Sequence, residues 1–357
     1  MIELNKKMTS EKMTEFVSYL EDISYEIGFR VSSRGWAYLL EGRRLINKDQ
    51  FDKVTNLINK CRKEGYLPID FVAEESARAF TGVETPNERD VVAQFGQWVK
   101  MAGDIAEYYT PDWWEGEEYY IQMVVEKIDL VTLFEPVCRQ FHVPIANSKG
   151  WSSMLQRAEY ARRFAEAEEK GLKCVLLYCG DHDPDGLRIA QFIKKNLADL
   201  KDVTWGDDSE GYDPSNLIIK RFGLSYEFIQ ENNLTWIDNL VTGSGNILAR
   251  QVGDEIIPGI IMKGKNAGKP HQNFYMPYMQ EYLADYGCRK CEANAMITMP
   301  ESARELVKKA ITDFIGEDSE DRFEVKRQEV RDELNEFMEE TGFQSKIDEI
   351  VDIIDNR

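Results

Sequence analysis

Three aspartates stand at alternate positions in KCVLLYCGDHDPDG (173–186): Asp181, Asp183 and Asp185, after a run of six largely apolar residues. Carboxylates so close repel one another, so they need a cation, a shared proton or open water. Glu126 follows a second apolar run, YYIQMVV (119–125). Carboxylate oxygens on the ends of strands, with positions left for water and phosphate, suit Mg²⁺ better than an all-protein calcium cage. Glu126, Asp181 and Asp183 are therefore the expected metal ligands. Asp185 either joins them, caps the following helix or holds a metal-bound water. His182, between two of the ligands, should point away from them if the strand alternation persists, and it carries no assigned role.

The acid run also fits other patterns to different degrees. An EF-hand loop begins Asp-x-Asp-x-Asp-Gly, but its twelfth position must be a bidentate acid and is Phe192 here, and the run follows a strand rather than a helix. A phosphatase of the haloacid-dehalogenase type carries Asp-x-Asp after a strand, usually with Thr or Val where this chain has Asp185. A solvated acidic turn capping the next helix is the bland alternative, since Pro, Asp and Gly are turn residues.

These residues need strands to hold them. From Tyr119 onward the chain alternates: YYIQMVVE, VPIAN, KCVLLYCG and LIIKRFG read as strands, and the segments between them and after the last read as helices. Alternation of this kind implies right-handed crossovers and a mostly parallel sheet with helices on both faces, an α/β fold. Ligands of such sheets bind beyond the carboxyl ends of the strands, where Glu126 and the aspartates fall. The expected domains are an all-helical or winged-helix region over 1–83, a linker and connecting helix over 84–118, the metal-binding α/β domain over 119–300 and a helical tail over 301–357.

The N-terminal region differs in charge. The whole chain of 357 residues carries a formal net charge of −20, which argues against a protein that coats nucleic acid indiscriminately. Over 27–65, however, nine Lys/Arg face four acids. Apolar spacing predicts helices after Ser10, after Ser32 or Ser33, and after Asn47, with Gly28 and Gly65 as stops, followed by a short extended piece, YLPIDFVAEE. Three helices with basic residues on the second and third fit a DNA-binding helix-turn-helix or winged helix, with Arg43, Arg44, Lys48, Lys60 and Arg62 as DNA contacts; a solvated helical bundle fits the composition equally.

VVEKID followed by a strand-terminal GDHDPDG resembles a Toprim domain, and the DxDPxG form is most similar to the A subunit of topoisomerase VI and the related meiotic double-strand-break protein. IIKRFGLSYEFIQENNL and KCEANAM resemble later elements of that family. In the family a winged-helix domain carries an Arg and, four residues on, the tyrosine that attacks DNA; SSRGWAYLLEG supplies Arg34 and Tyr38 at that spacing. Gly35 stands where the family has an acid, and Ala37 and Tyr38 where it has paired aromatics. The resemblance, covering about 30–300, implies an Mg²⁺-dependent homodimer around double-stranded DNA. Tyr38 of one subunit would attack a phosphate held at the metal site of the other, with Arg34 on the same phosphate, leaving a 5′-phosphotyrosyl bond. A Toprim nuclease working with metal-activated water, as in a defence or mobile-element effector, and a catalytically silent DNA-binding scaffold remain alternatives, as does a merely packed Tyr38.

The chain shows no ATP-binding motif, so ATP-driven strand passage would need a separate ATPase subunit. KGKNAGKP (263–270) lacks the ending of a nucleotide-binding loop and reads as a mobile basic loop. Cys288 and Cys291 form the one CxxC among six cysteines, which read as reduced, packed thiols. With no stretch of roughly 18 to 20 apolar residues and no signal-peptide core, a cytoplasmic location without membrane contact is expected. The amphipathic tail, with Val330, Leu334, Phe337 and Met338 on one stripe and Ile347, Ile350, Val351 and Ile354 on another, should pack on its own domain or on a subunit.

Overall fold

Helix α1 (Ser10–Ile27) starts at Thr9, whose hydroxyl accepts from Lys12 N–H, buries Met13, Phe16, Val17, Leu20, Ile23 and Ile27, and stops at Gly28, whose φ of 68° suits glycine. Helix α2 (Ser33–Gly42) is capped by Ser32, which accepts from Gly35 N–H, and α3 (Phe51–Lys63) follows a 3₁₀ turn at Lys48–Gln50. The computed structural model describes residues 8–356 apart from 69, 74–89, 149–153, 202–210, 239, 242–246 and 263. The extended piece expected after α3 is absent among the described residues of 66–73. Pro68 instead opens a turn closed by Phe71 N–H, and Ala73 N–H returns to Val31 O at 2.9 Å. The boundary expected at 84–90 lies outside the described residues except for Asp90, whose carboxylate caps α4 (Val91–Gly103) through Val92 and Ala93 N–H. A short α5 (Ile105–Tyr108) continues it.

The α/β expectation is met. The chain runs β1 (Tyr119–Val125), α6 (Ile128–Gln140), β2 (Ile145–Asn147), α7 (Met154–Glu169), β3 (Lys173–Cys179), α8 (Ile189–Ala198), β4 (Ile218–Gly223) and α9 (Tyr226–Glu231). These four strands form one all-parallel sheet in the order β2-β1-β3-β4. β1 and β3 are buried from their second residue to their last, which is why they read as unbroken apolar runs instead of alternating ones. The polar exception, Gln122, donates to Tyr160 O of α7, and the Tyr160 hydroxyl donates to Met123 O at 2.8 Å.

After the sheet come β5 (Ile237–Asp238), β6 (Leu240–Val241), β7 (Ile247–Val252), β8 (Glu255–Pro258), α10 (Pro277–Tyr286), β9 (Arg289–Lys290) and α11 (Pro300–Ile315). β6, β7 and β8 make an antiparallel sheet and β5 pairs with β9. All six cysteines are free and buried. The chain ends in α12 (Ser319–Glu340) and α13 (Phe343–Asp355), and among the described residues no helix is long and apolar enough to cross a membrane.

The chain divides into two units, Met1–Glu74 with Glu118–Phe314 and Glu75–Glu117 with Ile315–Arg357. The first contains α1 to α3 and the sheet. In the second, the amphipathic tail packs on the connecting helix: Arg322 makes a two-pronged pair with Glu117, Arg331 meets Glu107 at 3.1 Å, and Phe323 packs on Trp113 with ring centres 4.5 Å apart.

Candidate active site

β1 and β3 are neighbours in register, Val125 opposite Cys179, so the residues that follow both strands emerge side by side. Glu126 N–H donates to Cys179 O at 2.9 Å, and Asp181 N–H donates to Glu126 Oε2 at 2.8 Å. The other carboxylate oxygen of Glu126 meets Lys127 Nζ at 2.5 Å, and the same ammonium reaches Asp181 Oδ2 at 3.0 Å. Asp181 Oδ1 accepts from Ala293 N–H at 2.8 Å. Burial works against the Lys127 ammonium, but the Asp181 and Glu126 carboxylates outweigh it and hold its pKa above the ordinary lysine value.

Asp183 Oδ1 accepts from Gly186 N–H at 2.6 Å, so the capping role considered for Asp185 falls to Asp183. A side chain on Gly186 would strike Asp181 O at 2.2 Å, which is why glycine closes this turn. Burial, with repulsion from Asp181 and Glu126, pushes the Asp183 carboxyl up to about 6. Asp185 is exposed but opens on the same cleft. The loop backbone is braced from β4: Arg221 Nη2 donates to Gly180 O, Asp181 O and Leu224 O. His182 is turned away as expected, buried against Trp236 and Tyr286, with Nδ1 3.0 Å from Leu224 O.

The N-terminal helices complete the cleft. Arg34 of α2 lines a space of about 520 Å³ together with Glu126, Lys127, Asp181, Asp183, Asp185, Lys290, Glu292 and Asn294. Its position follows from Asp129, two residues after Lys127 in the first turn of α6 and almost fully buried. Asp129 accepts from Ser32 N–H at 2.5 Å, from the Ser32 hydroxyl at 2.8 Å and from Asn294 Nδ2 at 3.1 Å. Burial raises its pKa despite these three donors. A Cβ on Gly35 would stand 2.9 Å from the Asp129 carboxyl carbon, so the glycine at this position of α2 makes room for an acid from α6.

Tyr38, one turn beyond Arg34, faces elsewhere. It is 4% exposed, its ring meets Phe51 edge-on at 4.9 Å, and among the described residues no group hydrogen-bonds its hydroxyl. It lines a separate space of about 360 Å³ with Glu41, Lys48 and Thr298. Two cations lie near the ring, Lys48 Nζ at 5.7 Å and the Arg34 guanidinium at 6.0 Å from its centre. Burial lowers the Lys48 pKa. Of the other residues expected to touch DNA, Arg43 pairs with Glu26 at 2.8 Å, Lys60 with Glu64 at 3.7 Å, and Arg62 donates to Asn59. Arg44 is exposed in the left-handed backbone region, with φ of 57°.

The chain matches no known family model, no curated protein and no solved structure. The chemistry is therefore read from the cleft itself. Among the described residues, no three His, Cys, Asp or Glu side chains converge closely enough to form a ready metal cage. Lys127 stands where two of the acids meet. Lys127, Asp129, Arg221, Lys290 and Asn294 belong to the cleft or its supports without standing out in the sequence. Lys127 and Asp129 were within reach, since both belong to the same VVEKID run as Glu126.

Proposed function

We propose that the chain cleaves phosphodiester bonds of DNA at the cleft between α2 and the ends of β1 and β3, with Mg²⁺ held by Glu126, Asp181 and Asp183. What carries the reading is that five carboxylates, Glu126, Asp181, Asp183, Asp185 and Glu292, share one cleft with three cations, Arg34, Lys127 and Lys290. Acids alone make a cation site and cations alone an anion site; the mixture suits a phosphate bridged to a metal. The donors are all oxygens, Glu126 just after β1 and Asp181 and Asp183 in the turn after β3, the set that Mg²⁺ takes. The ammonium of Lys127 between Glu126 and Asp181 marks where positive charge is stable, so a divalent ion fits there once that flexible side chain turns toward the phosphate. When bound, the ion would supply charge neutralisation on the phosphate oxygens and a lowered pKa for water. Arg34 would grip two non-bridging oxygens with its fork, Lys127 and Lys290 would add charge, and Asp129 would hold the Arg34 helix in place.

Water is the favoured nucleophile, because Tyr38 of the same chain lines a different space and its hydroxyl is buried. The parallel sheet, with its acids beyond neighbouring strands, supports the likeness to a Toprim domain. Attack by Tyr38, as in the topoisomerase VI A family, is a second reading. The cations near its ring favour it, since they would stabilise a phenolate. Supercoiled plasmid incubated with Mg²⁺ and run with and without protease distinguishes the two. Free ends lost in Glu126→Gln and Asp181→Asn and kept in Tyr38→Phe are expected. Linear DNA released only by protease would make Tyr38 the nucleophile, and plasmid left intact would overturn both readings.

A further inference from the structure

Two stretches of this acidic chain carry no acid. Between Asp185 and Asp199, and again from Ile256 to Gln280, there is no Asp or Glu, while six Lys/Arg fall within them, on a chain whose acids number 64. The fold brings the two together at the rim of the acid cleft. Leu187, beside Asp185, packs with Phe274 and Tyr278 on one buried cluster that includes Leu248, Met279 and Leu283. Across that seam the Arg188 guanidinium lies 4.1 Å from the centre of the Tyr278 ring and 5.7 Å from that of Phe192. Phe192 and Lys195, three residues apart in α8, share a face and are both exposed, Phe192 by 46%. Tyr278, Arg188, Phe192 and Lys195 therefore form a ladder in which rings and cations alternate. Its first rung adjoins the cleft: burial raises the Tyr278 pKa, and Asp185, which opens on the cleft, stands beside its hydroxyl. Tyr275, three residues before Tyr278, is 57% exposed. The same stretch puts the exposed Lys265 and Lys269 on a hairpin tip closed by Gly268 N–H to Ile261 O at 2.8 Å and Ile261 N–H to Lys269 O at 2.9 Å.

We propose that this ladder holds a single DNA strand as it leaves the acid cleft, with bases stacked on Phe192 and Tyr275 and phosphates met by Arg188, Lys195 and the hairpin lysines. The inference rests on the DNA-cleavage reading for the identity of the strand and extends it, since the family resemblance implies only a duplex. The alternation is what selects the ligand. Cations alone would track any phosphate backbone, but exposed rings set between them need bases whose faces are open, as they are in an unpaired strand and not in a duplex. A lipid surface would take a continuous apolar helix face, whereas the apolar face of α8, Ile193 and Leu197, is buried within the protein. On a chain of net charge −20 a polyanion needs a path free of acids, and this one begins at the cleft.

Fluorescence anisotropy of a labelled oligothymidylate with the full chain tests it, in EDTA so that binding is read apart from cleavage. Phe192→Ala and Lys195→Glu are each expected to weaken binding about tenfold, Phe192→Trp to keep it, and a duplex of the same length to bind less tightly. Lys195→Gln should make the dependence of log affinity on log salt shallower by about 0.7, whereas Phe192→Ala should leave that slope unchanged. Both side chains are exposed, so circular dichroism of the variants is expected to match the wild type. A wild type that binds no strand, affinity unchanged in both Phe192→Ala and Lys195→Glu, a duplex bound as tightly as the strand, or binding to phosphatidylserine vesicles in place of the strand would each overturn the proposal. Failure of the cleavage reading is distinguishable from these. A chain that binds the strand through Phe192 and Lys195 but cuts no plasmid keeps the ladder; one that cuts plasmid while both variants bind the strand like wild type loses it.

Discussion

Arg34 and Tyr38 are one turn apart on α2, yet they open on different spaces. Arg34 faces the acids of the sheet, while Tyr38 is pressed against Phe51 with its hydroxyl unmatched. Neither residue sets this orientation. Asp129 does, by binding the first turn of the helix through Ser32 and admitting Gly35 against its carboxylate. A sequence spacing that puts two groups on one helix face thus leaves open which of them meets the chemistry; the strut that rotates the helix decides it.

The strongest way to break the contrast is to remove each group in turn. Arg34→Ala is expected to slow plasmid cleavage by about 10²- to 10³-fold, or about 3–4 kcal/mol of transition-state stabilisation, typical of losing one well-aimed charge donor. Arg34→Lys should recover only part of it, because a point charge cannot bind two phosphate oxygens as a fork does. Tyr38→Phe should leave the rate within a factor of about two. Equal losses at both positions would mean that the two spaces act as one site.

The strut itself is the next target. Asp129→Ala removes the acceptor from Ser32 N–H, the Ser32 hydroxyl and Asn294 Nδ2, leaving three donors in poorly hydrated surroundings. A loss of about 3 kcal/mol is expected in urea unfolding, with cleavage reduced as well because Arg34 rides on the same helix. Gly35→Ala attacks the contact from the other side. Its methyl group would enter within 3.0 Å of both Asp129 oxygens, and overpacking of this kind costs about 1–2 kcal/mol. If Gly35→Ala is neutral while Asp129→Ala is severe, α2 has room to shift and the strut is looser than the contact implies.

Much of this was legible in the chain, for physical reasons that also explain the gaps. The strands of the parallel sheet show because burial on both faces demands unbroken apolar runs, as in KCVLLYC. Glu126 and Asp181 could be expected at strand ends, but their contact depends on β1 lying beside β3, a strand order that no local pattern encodes. The hairpin of β7 and β8 carried a turn signal at Gly253 between two short apolar runs. The pairing of α4 with α13 was hidden, because it rests on two glycines admitting isoleucines some 250 residues away. That Gly35 makes room for the Asp129 carboxylate needed the fold.

The smallest expected effect separates a packed tyrosine from a poised one. A buried hydroxyl that no described group binds contributes no hydrogen bond to the folded state, so its deletion should cost little. Tyr38→Phe keeps the ring and its edge-on contact with Phe51 while removing only the unmatched oxygen. Unfolding free energy is therefore expected to stay level or rise by up to about 1 kcal/mol. A clear loss of stability would mean that the hydroxyl has a partner when the protein is in solution. That partner would then be the first group to test as a base for Tyr38, and the balance between Arg34 and Tyr38 would shift toward the tyrosine.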